Sequence, residues 1–193
     1  LERKGAKTGL LTTLGHRDVL EMREGLKDDR YNMRLPAPAP LVPRFLRLGV
    51  RERIKPDGSI HTKLDNTSLD EAINKLREEK VTSVAVCYLH AYKEPKHEQE
   101  TKKILEAKLP GVSVSISSEV FPEIKEYERV STTIVNAYVR PIVENYLNRL
   151  EERLKNAGYK GSVLIILSHG GVAPIEEAIS CLLYTSDAAD EVS

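Results

Sequence analysis

Apolar positions along this chain recur with two periods, one near 2 and one near 3.6, and the two alternate. Ala6 to Thr13 has the strand pattern, centred on Leu10 and Leu11. Leu1 to Gly5 before it reads as the end of a helix closed by Gly5. His16 to Arg23 reads as a short helix. Lys27 to Arg44 carries Pro36, Pro38, Pro40 and Pro43, which fix φ and remove amide donors, so a long extended loop is expected. Arg44 to Ile54 alternates in part and predicts a strand. Asp57-Gly58 is a hairpin turn signal leading to a short strand at Ser59 to Thr62.

The middle of the chain is more regular. Ser68-Leu-Asp-Glu71 has the form of a capping box, opening a helix that runs to Lys80. Val81 to Leu89 is apolar on both faces, as a buried strand of a parallel sheet must be. Pro95 suits a first helical position, and the helix is expected to reach Leu109, where Pro110-Gly111 stops it. Val112 to Ile116 is a further strand. Glu123 to Arg140 is a helix that Pro141 kinks or restarts, continuing to Ala157-Gly158. Its apolar stripe is Val130, Ile134, Tyr138, Ile142, Tyr146, Leu150 and Leu154, with one face turned to a core. Ser162 to Leu167 is a short apolar strand, followed by Gly170-Gly171 and a helix from about Pro174. Strands alternating with helices predict an α/β fold with a mainly parallel sheet, flanking helices and a small β-hairpin insertion around Ile54 to Ile60.

Composition narrows the function. The 193 residues hold 29 Lys plus Arg and 29 Asp plus Glu, so no net field draws a polyanion or an anionic membrane. With no Trp and two Phe, base-stacking platforms are not expected, and nucleic acid is not a predicted partner. No apolar run approaches the ~20 residues that span a bilayer. The two cysteines, Cys87 and Cys181, form neither a disulfide framework nor a metal spacing, which fits a reducing cytoplasm. The stretch from Cys181 to Asp190 reads like a translated sequencing adaptor, and residues 181–193 are expected to be a loose, non-native tail on a partial domain of residues 1–180.

Candidate chemistry concentrates between Ser117 and Asn136, where the chain leaves a strand at its carboxyl end and enters a helix. Ligands bind at that place in open α/β sheets. Glu126, Arg129, Thr133, Asn136 and Arg140 fall at steps of three and four, as one polar stripe expected roughly opposite the apolar one. A carboxylate beside a guanidinium can orient a polar substrate. The competing interpretation is a solvated face held by Glu-to-Arg pairs. Against it stand Ser131, Thr132, Thr133 and Asn136, poor choices inside a helix that together suggest a site. Glu126 and Arg129 are therefore the catalytic candidates. Glu119, Glu123, Tyr127, Ser131, Thr132 and Asn136 are substrate-binding candidates. His169, Gly170 and Gly171 join them, because two glycines after a strand let backbone approach a ligand and a histidine there can carry a proton. His90 and His97 flank a turn but lack further ligands for a metal, so no metal site is assigned and both are expected to be structural. Cys87 is expected to be an inert core thiol.

These same residues carry a resemblance. Leu1-Glu-Arg-Lys-Gly-Ala-Lys-Thr-Gly-Leu-Leu-Thr-Thr13 and Gly15-His-Arg-Asp-Val-Leu20 resemble a segment of the hydantoinase A/5-oxoprolinase family. Ser118-Glu-Val, Pro122-Glu, Glu126-Tyr-Glu-Arg129, Ser131-Thr-Thr133 and Asn136-Ala-Tyr138 resemble its most distinctive stretch. Val86-Cys through His90, Pro95 and His97-Glu98 fit between them. The resemblance implies part of an actin/sugar-kinase-like (ribonuclease H-like) ATPase fold. It also implies ATP and Mg²⁺ as cofactors, a hydantoin or 5-oxoproline ring as substrate, and a second, hydantoinase B-type subunit or domain as partner. Carboxylases of acetone and acetophenone are relatives, and a non-catalytic assembly subunit is a further alternative. The family's Asp-Gly-Gly-Thr-type loop would precede Leu1, and its Gly-Pro-Ala-Gly-Gly-type loop would follow Ile179. A fragment without them is expected not to hydrolyse ATP alone. Many members have Asn where His169 stands.

Overall fold

The structure, a computed structural model, describes residues 5–23, 31, 34, 39–166, 171–175 and 179. Four strands, β1 (Thr8–Thr13), β2 (Arg47–Val50), β5 (Ser83–Cys87) and β6 (Ser113–Ile116), form one sheet in the order β2-β1-β5-β6. All three pairings are parallel: Leu10 faces Arg47, Thr12 faces Cys87 and Val86 faces Ile116. The expected parallel α/β fold is therefore observed. Every residue of β1 and β5 is buried, so both faces of the sheet must be covered.

Strand alternation decides which helix covers which face. Gly9 faces Leu76 of helix α2 (Asn66–Glu78), which lies beside α3 (Lys96–Lys108). Ser115 faces Asn136 of the long helix α5 (Glu126–Asn156), which packs on β1, β5 and β6. Leu69, Ala72, Ile73 and Leu76 of α2, Leu105 of α3, and Val130, Ile134 and Ala137 of α5 join the strands in one core. At ~25 cal/mol per Å² of apolar surface removed from water, this cluster supplies the main driving force for the fold.

Several expectations are corrected locally. The helix after residue 64 is not capped by a box at Ser68. Asp65 is the N-cap, its carboxylate accepting from the Ser68 amide at 3.2 Å, and the helix starts two residues before Ser68. The single strand expected at Arg44 to Ile54 breaks into a 3₁₀ turn (Arg44–Leu46), β2 and β3 (Arg53–Ile54), with Arg47 buried against Val42 O and Glu21 at the start of β2. The hairpin is present: β3 pairs antiparallel with β4 (Ile60–Thr62), and Gly58 takes the positive φ (86°) its turn needs. The helix expected from His16 shrinks to α1 (Val19–Met22). Gly5 does not have the positive φ of a helix cap; a Cβ there would overlap the Tyr138 ring, so close packing is what asks for glycine. The preceding helix end, most of the proline-rich loop and the tail from Cys181 lie outside the described residues.

The largest correction concerns α5. A short helix, α4 (Ser117–Val120), precedes it, and α5 starts at Glu126, not Glu123. It runs through Pro141 for 31 residues, ~46 Å, well past the sheet. The polar stripe is not on the solvent side: Arg129, Thr133 and Asn136 are buried against the sheet. The distal apolar stripe is the exposed one, with Ile142 and Tyr146 open, while Leu147 turns to a small separate cluster with Ile175 and Ile179. The strand expected at Ser162 to Leu167 is β7 (Leu164–Ile166), which pairs antiparallel with β8 (Val172–Pro174) outside the parallel sheet; Pro174 ends β8, and Ile175 and Ile179 just after it are helical, where a helix is expected.

The Asp65 cap gives a stability prediction. Its carboxyl is held below the usual aspartate range by the Ser68 amide. A depressed pKa means the cap stabilises the fold above the unfolded aspartate value and is lost as pH falls through the folded one. Asp65→Ala is expected to lower the thermal midpoint at neutral pH, with the difference from the parent closing on acidification; an acid-independent difference would count against the cap.

Candidate functional site

All four parallel strands end on one edge, and the chain changes direction there. From β1 it goes outward to β2, then returns across β1 to β5 and on to β6, so β1 and β5 flank a topological switch point. Peptide groups beyond the strand ends have no ladder partner and need another. Leu89 N–H donates to Thr13 Oγ1 across the switch point at 2.9 Å, and that hydroxyl donates in turn to Glu52. The second Glu52 oxygen meets His97 Nδ1 at 2.8 Å, with both side chains buried. Glu98, the next residue on α3, accepts from Tyr88 N–H at 2.9 Å, Ser117 Oγ at 2.6 Å and Ser118 N–H at 2.8 Å. Burial pushes the Glu98 carboxyl up, while those three donors pull it back. This network rigidifies the edge on which a ligand would rest.

Above it lies a second set of groups. The turn after β5 holds His90 in a left-handed conformation (φ 56°), a strained placement for a non-glycine residue. His90 stacks edge-on against Tyr92, with ring centres 6.0 Å apart. The Arg129 guanidinium, from the first turn of α5, lies 5.5 Å from the centre of the Tyr92 ring. It also faces Cys87, whose thiol is pushed up to about 12 by burial against a smaller lowering by Arg129. Burial depresses the His90 pKa first; Arg53 and Arg129 depress it further, against Glu126 and Glu52. Those five charged or titratable groups share one electrostatic neighbourhood. Arg53 Nη1 also meets His16 Nε2 at 3.0 Å.

The structure brings Glu126, Arg129 and His90 together. It separates the other candidates. Tyr127 and Ser131 line a different hollow of about 180 Å³, with Leu20, Pro40 and Leu41, on another side of α5. Asn136 Nδ2 donates to Ser115 Oγ at 3.0 Å, and Thr133 Oγ1 donates to Arg129 O, so both serve the packing of α5 on β6 and of the helix on itself. Arg140 donates to Val114 O at 3.3 Å. Glu119 pairs with Lys102 at 2.7 Å, Glu123 is exposed and Thr132 is half-buried. Gly171 precedes β8; His169 and Gly170 lie outside the described residues. Spacing alone did not single out Glu52 and Glu98, and His97 has the structural role expected of it. The available signal was positional, since each is a polar residue placed where an apolar strand has just ended or a helix has just begun.

Two measurements follow. Glu98→Gln sets an amide NH₂ against incoming donors and is expected to cost about 1–3 kcal/mol of stability, seen in denaturant unfolding; a neutral result would remove Glu98 from the network. In an NMR titration His90 is expected to protonate below the ordinary histidine value. Its folded pKa is depressed, so its contribution to stability is full above the unfolded value and declines as pH falls beneath it. An ordinary or elevated His90 titration would contradict the positive surroundings described.

Known proteins share this fold. The family model of the hydantoinase/oxoprolinase N-terminal region matches residues 1–109, and the hydantoinase/oxoprolinase model matches 129–188. Caprolactamase subunit alpha of Pseudomonas jessenii is 41% identical over 90% of this chain and 25% of its own length. The acetophenone carboxylase gamma subunit of Aromatoleum aromaticum is 32% identical over 91% of this chain and 26% of its own. 5-Oxoprolinase 1 of Arabidopsis thaliana is 26% identical over 90% and 15%. Among solved structures, the ATP-dependent caprolactamase from Pseudomonas jessenii superposes with a TM-score of 0.84 at 41% identity, covering 90% of this chain and 26% of that one. The nucleotide-free acetone carboxylase gives 0.79 at 25% identity, covering 95% and 28%. The chain spans about a quarter or less of the length of the curated relatives it matches. By model and by likeness, this chain belongs to the hydantoinase/oxoprolinase family.

Proposed function

We propose that the full-length protein carrying this region opens a cyclic amide ring in an ATP-dependent reaction, with the carboxyl edge of the β1–β5 switch point as part of its site. The likeness to ATP-dependent caprolactamase, at 41% identity and a TM-score of 0.84, carries this reading. A 5-oxoprolinase among the relatives supports the same substrate class. ATP would supply a phosphoryl group to the amide oxygen, making the ring carbon more open to attack by water; the ring C–N bond would then break, with the nitrogen leaving as the amine and the phosphoryl group as phosphate.

This chain's own residues contribute position and electrostatics. Glu126 and Arg129 orient the ring or the attacking water from the first turn of α5, and His90, with its depressed pKa, stays neutral beside them. The Thr13–Glu52–His97 chain holds the strand ends in register beneath. Among the described residues no group of three or more His, Cys, Asp or Glu converges, and no step is assigned to Mg²⁺. A phosphoryl-bearing cofactor fits, because the Arg129 guanidinium has hydrogen-bond donors to offer. Relatives named as subunits support a hydantoinase B-type partner, and a buried free thiol supports a reducing cytoplasm. Among the described residues no helix is long and apolar enough to cross a membrane.

The test is turnover by the full-length protein, following ADP release with 5-oxoproline, hydantoin and caprolactam. Ring-dependent ADP release is expected, falling by about 10²–10³-fold in Arg129→Ala with assembly unchanged. ADP release that instead needs bicarbonate and a ketone would replace this reading with a carboxylase. Loss of assembly in Arg129→Ala would make Arg129 a structural residue and leave the non-catalytic assembly reading in its place.

A further inference from the structure

Arg129 is the anomaly of this site. Its residue is 1% exposed, yet Nε and Nη1 have no hydrogen-bond partner. A buried guanidinium normally sits against a carboxylate, because taking it out of water without one is costly. No carboxylate among the described residues forms an ion pair with it, and Glu128, its neighbour in the chain, accepts from Lys125 Nζ at 2.8 Å. Glu126 acts on His90, and Glu98 is already filled by Tyr88, Ser117 and Ser118. Glu52 is held by Thr13 and His97. What Arg129 has is the face of Tyr92, a weaker substitute for an anion, and the neutral Cys87 thiol. Tyr92 is only half-buried and sits on the same turn as the strained His90, so the group covering Arg129 is also the one best able to swing away.

We propose that Arg129 anchors a subsite for an oxoanion, a phosphoryl or carboxylate group, which displaces the Tyr92 ring and accepts the Nε–H and Nη1–H donors now unfilled. A guanidinium offers two parallel donors on one edge, the geometry that two oxygens of a phosphate or carboxylate match. His90 borders the subsite, and its neutral imidazole leaves a donor for the same anion. Arg53 adds positive potential from the β3 side. A neutral amide oxygen would meet only one of the two free donors, whereas an oxoanion meets both. The inference deepens the ring-opening reading by naming the ligand chemistry of the same edge, but it is tested by binding and not by turnover.

The experiment titrates the 193-residue chain with inorganic phosphate and, separately, with acetate at constant ionic strength, following the Arg129 Nε–H and His90 ring resonances by NMR. A saturable Arg129 shift is expected, together with a rise in the His90 pKa as negative charge arrives. Affinity should fall about ten- to a hundredfold in Arg129→Met and less in Arg129→Lys, which keeps the charge but not the fork. Stronger binding of phosphate assigns the subsite to a phosphoryl group, and stronger binding of acetate to a carboxylate. Without ligand, Arg129→Met should raise the thermal midpoint by about 2–4 °C, since it removes an unpaired buried charge. Should Arg129→Met not fold, Arg129→Lys carries the affinity comparison. No saturable shift with either anion, or an equal shift in both variants, overturns the inference. Ring-dependent turnover by a full-length protein whose Arg129 is silent to both anions would sink it while leaving the ring-opening reading intact.

Discussion

Where a parallel strand ends, its next amide groups lose their ladder partners, and in this chain buried side chains take them over. Glu98 receives the Tyr88 and Ser118 amides from beyond β5 and β6, and Thr13 receives Leu89 from across the switch point. These bonds tie α3 to three strand ends at once, with Glu52 and His97 joining β2. A low local dielectric strengthens each bond and makes each missing partner expensive, so the edge is rigid as a unit. The position of everything above it depends on that rigidity: the His90 turn, the Tyr92 ring and the first turn of α5.

Helix α5 combines two tasks that pull its sequence in different directions. Its first half lies on the sheet face lined by Ala85, Cys87 and Ser115, small residues that let a helix approach closely. Thr133 and Asn136 fit there because each finds a partner, one in its own helix and one on β6. Its second half passes beyond the sheet and carries Ile142 and Tyr146 in the open, beside the small β7–β8 hairpin. A single amphipathic stripe could not serve both halves, which is why polar residues are buried in one and apolar residues exposed in the other.

The balance of charge at the edge follows from the same economy of partners. The buried acidic groups there are engaged by structure, Glu98 by amides and Glu52 by His97 and Thr13, while Glu126 stays exposed. The cations are not matched to the same degree, and Arg129 is left with an aromatic face. Buried acids that are engaged beside a buried guanidinium that lacks an acid favour an anionic visitor, consistent with a family whose relatives include ATP-dependent enzymes.

The sequence by itself determined the parallel α/β layout, the Asp57-Gly58 hairpin and the buried Cys87. Each rests on local periodicity or turn chemistry that neighbouring residues fully specify. It also marked Glu126 and Arg129, because their spacing is helical and their position follows a strand. It did not determine which side of α5 faces the sheet, since a polar stripe with good partners and one bathed in water look alike as strings. It placed the cap of α2 at Ser68 in place of Asp65, since both residues have capping side chains and only the backbone says which one leaves the helix. Above all, Thr13, Glu52, Leu89, His97 and Ser117 lie far apart along the chain, and only closure of the sheet brings them within hydrogen-bond distance of one another or of Glu98. Tertiary structure alone decided that Arg129 would be buried without an acid, because that is a statement about which neighbours did not arrive.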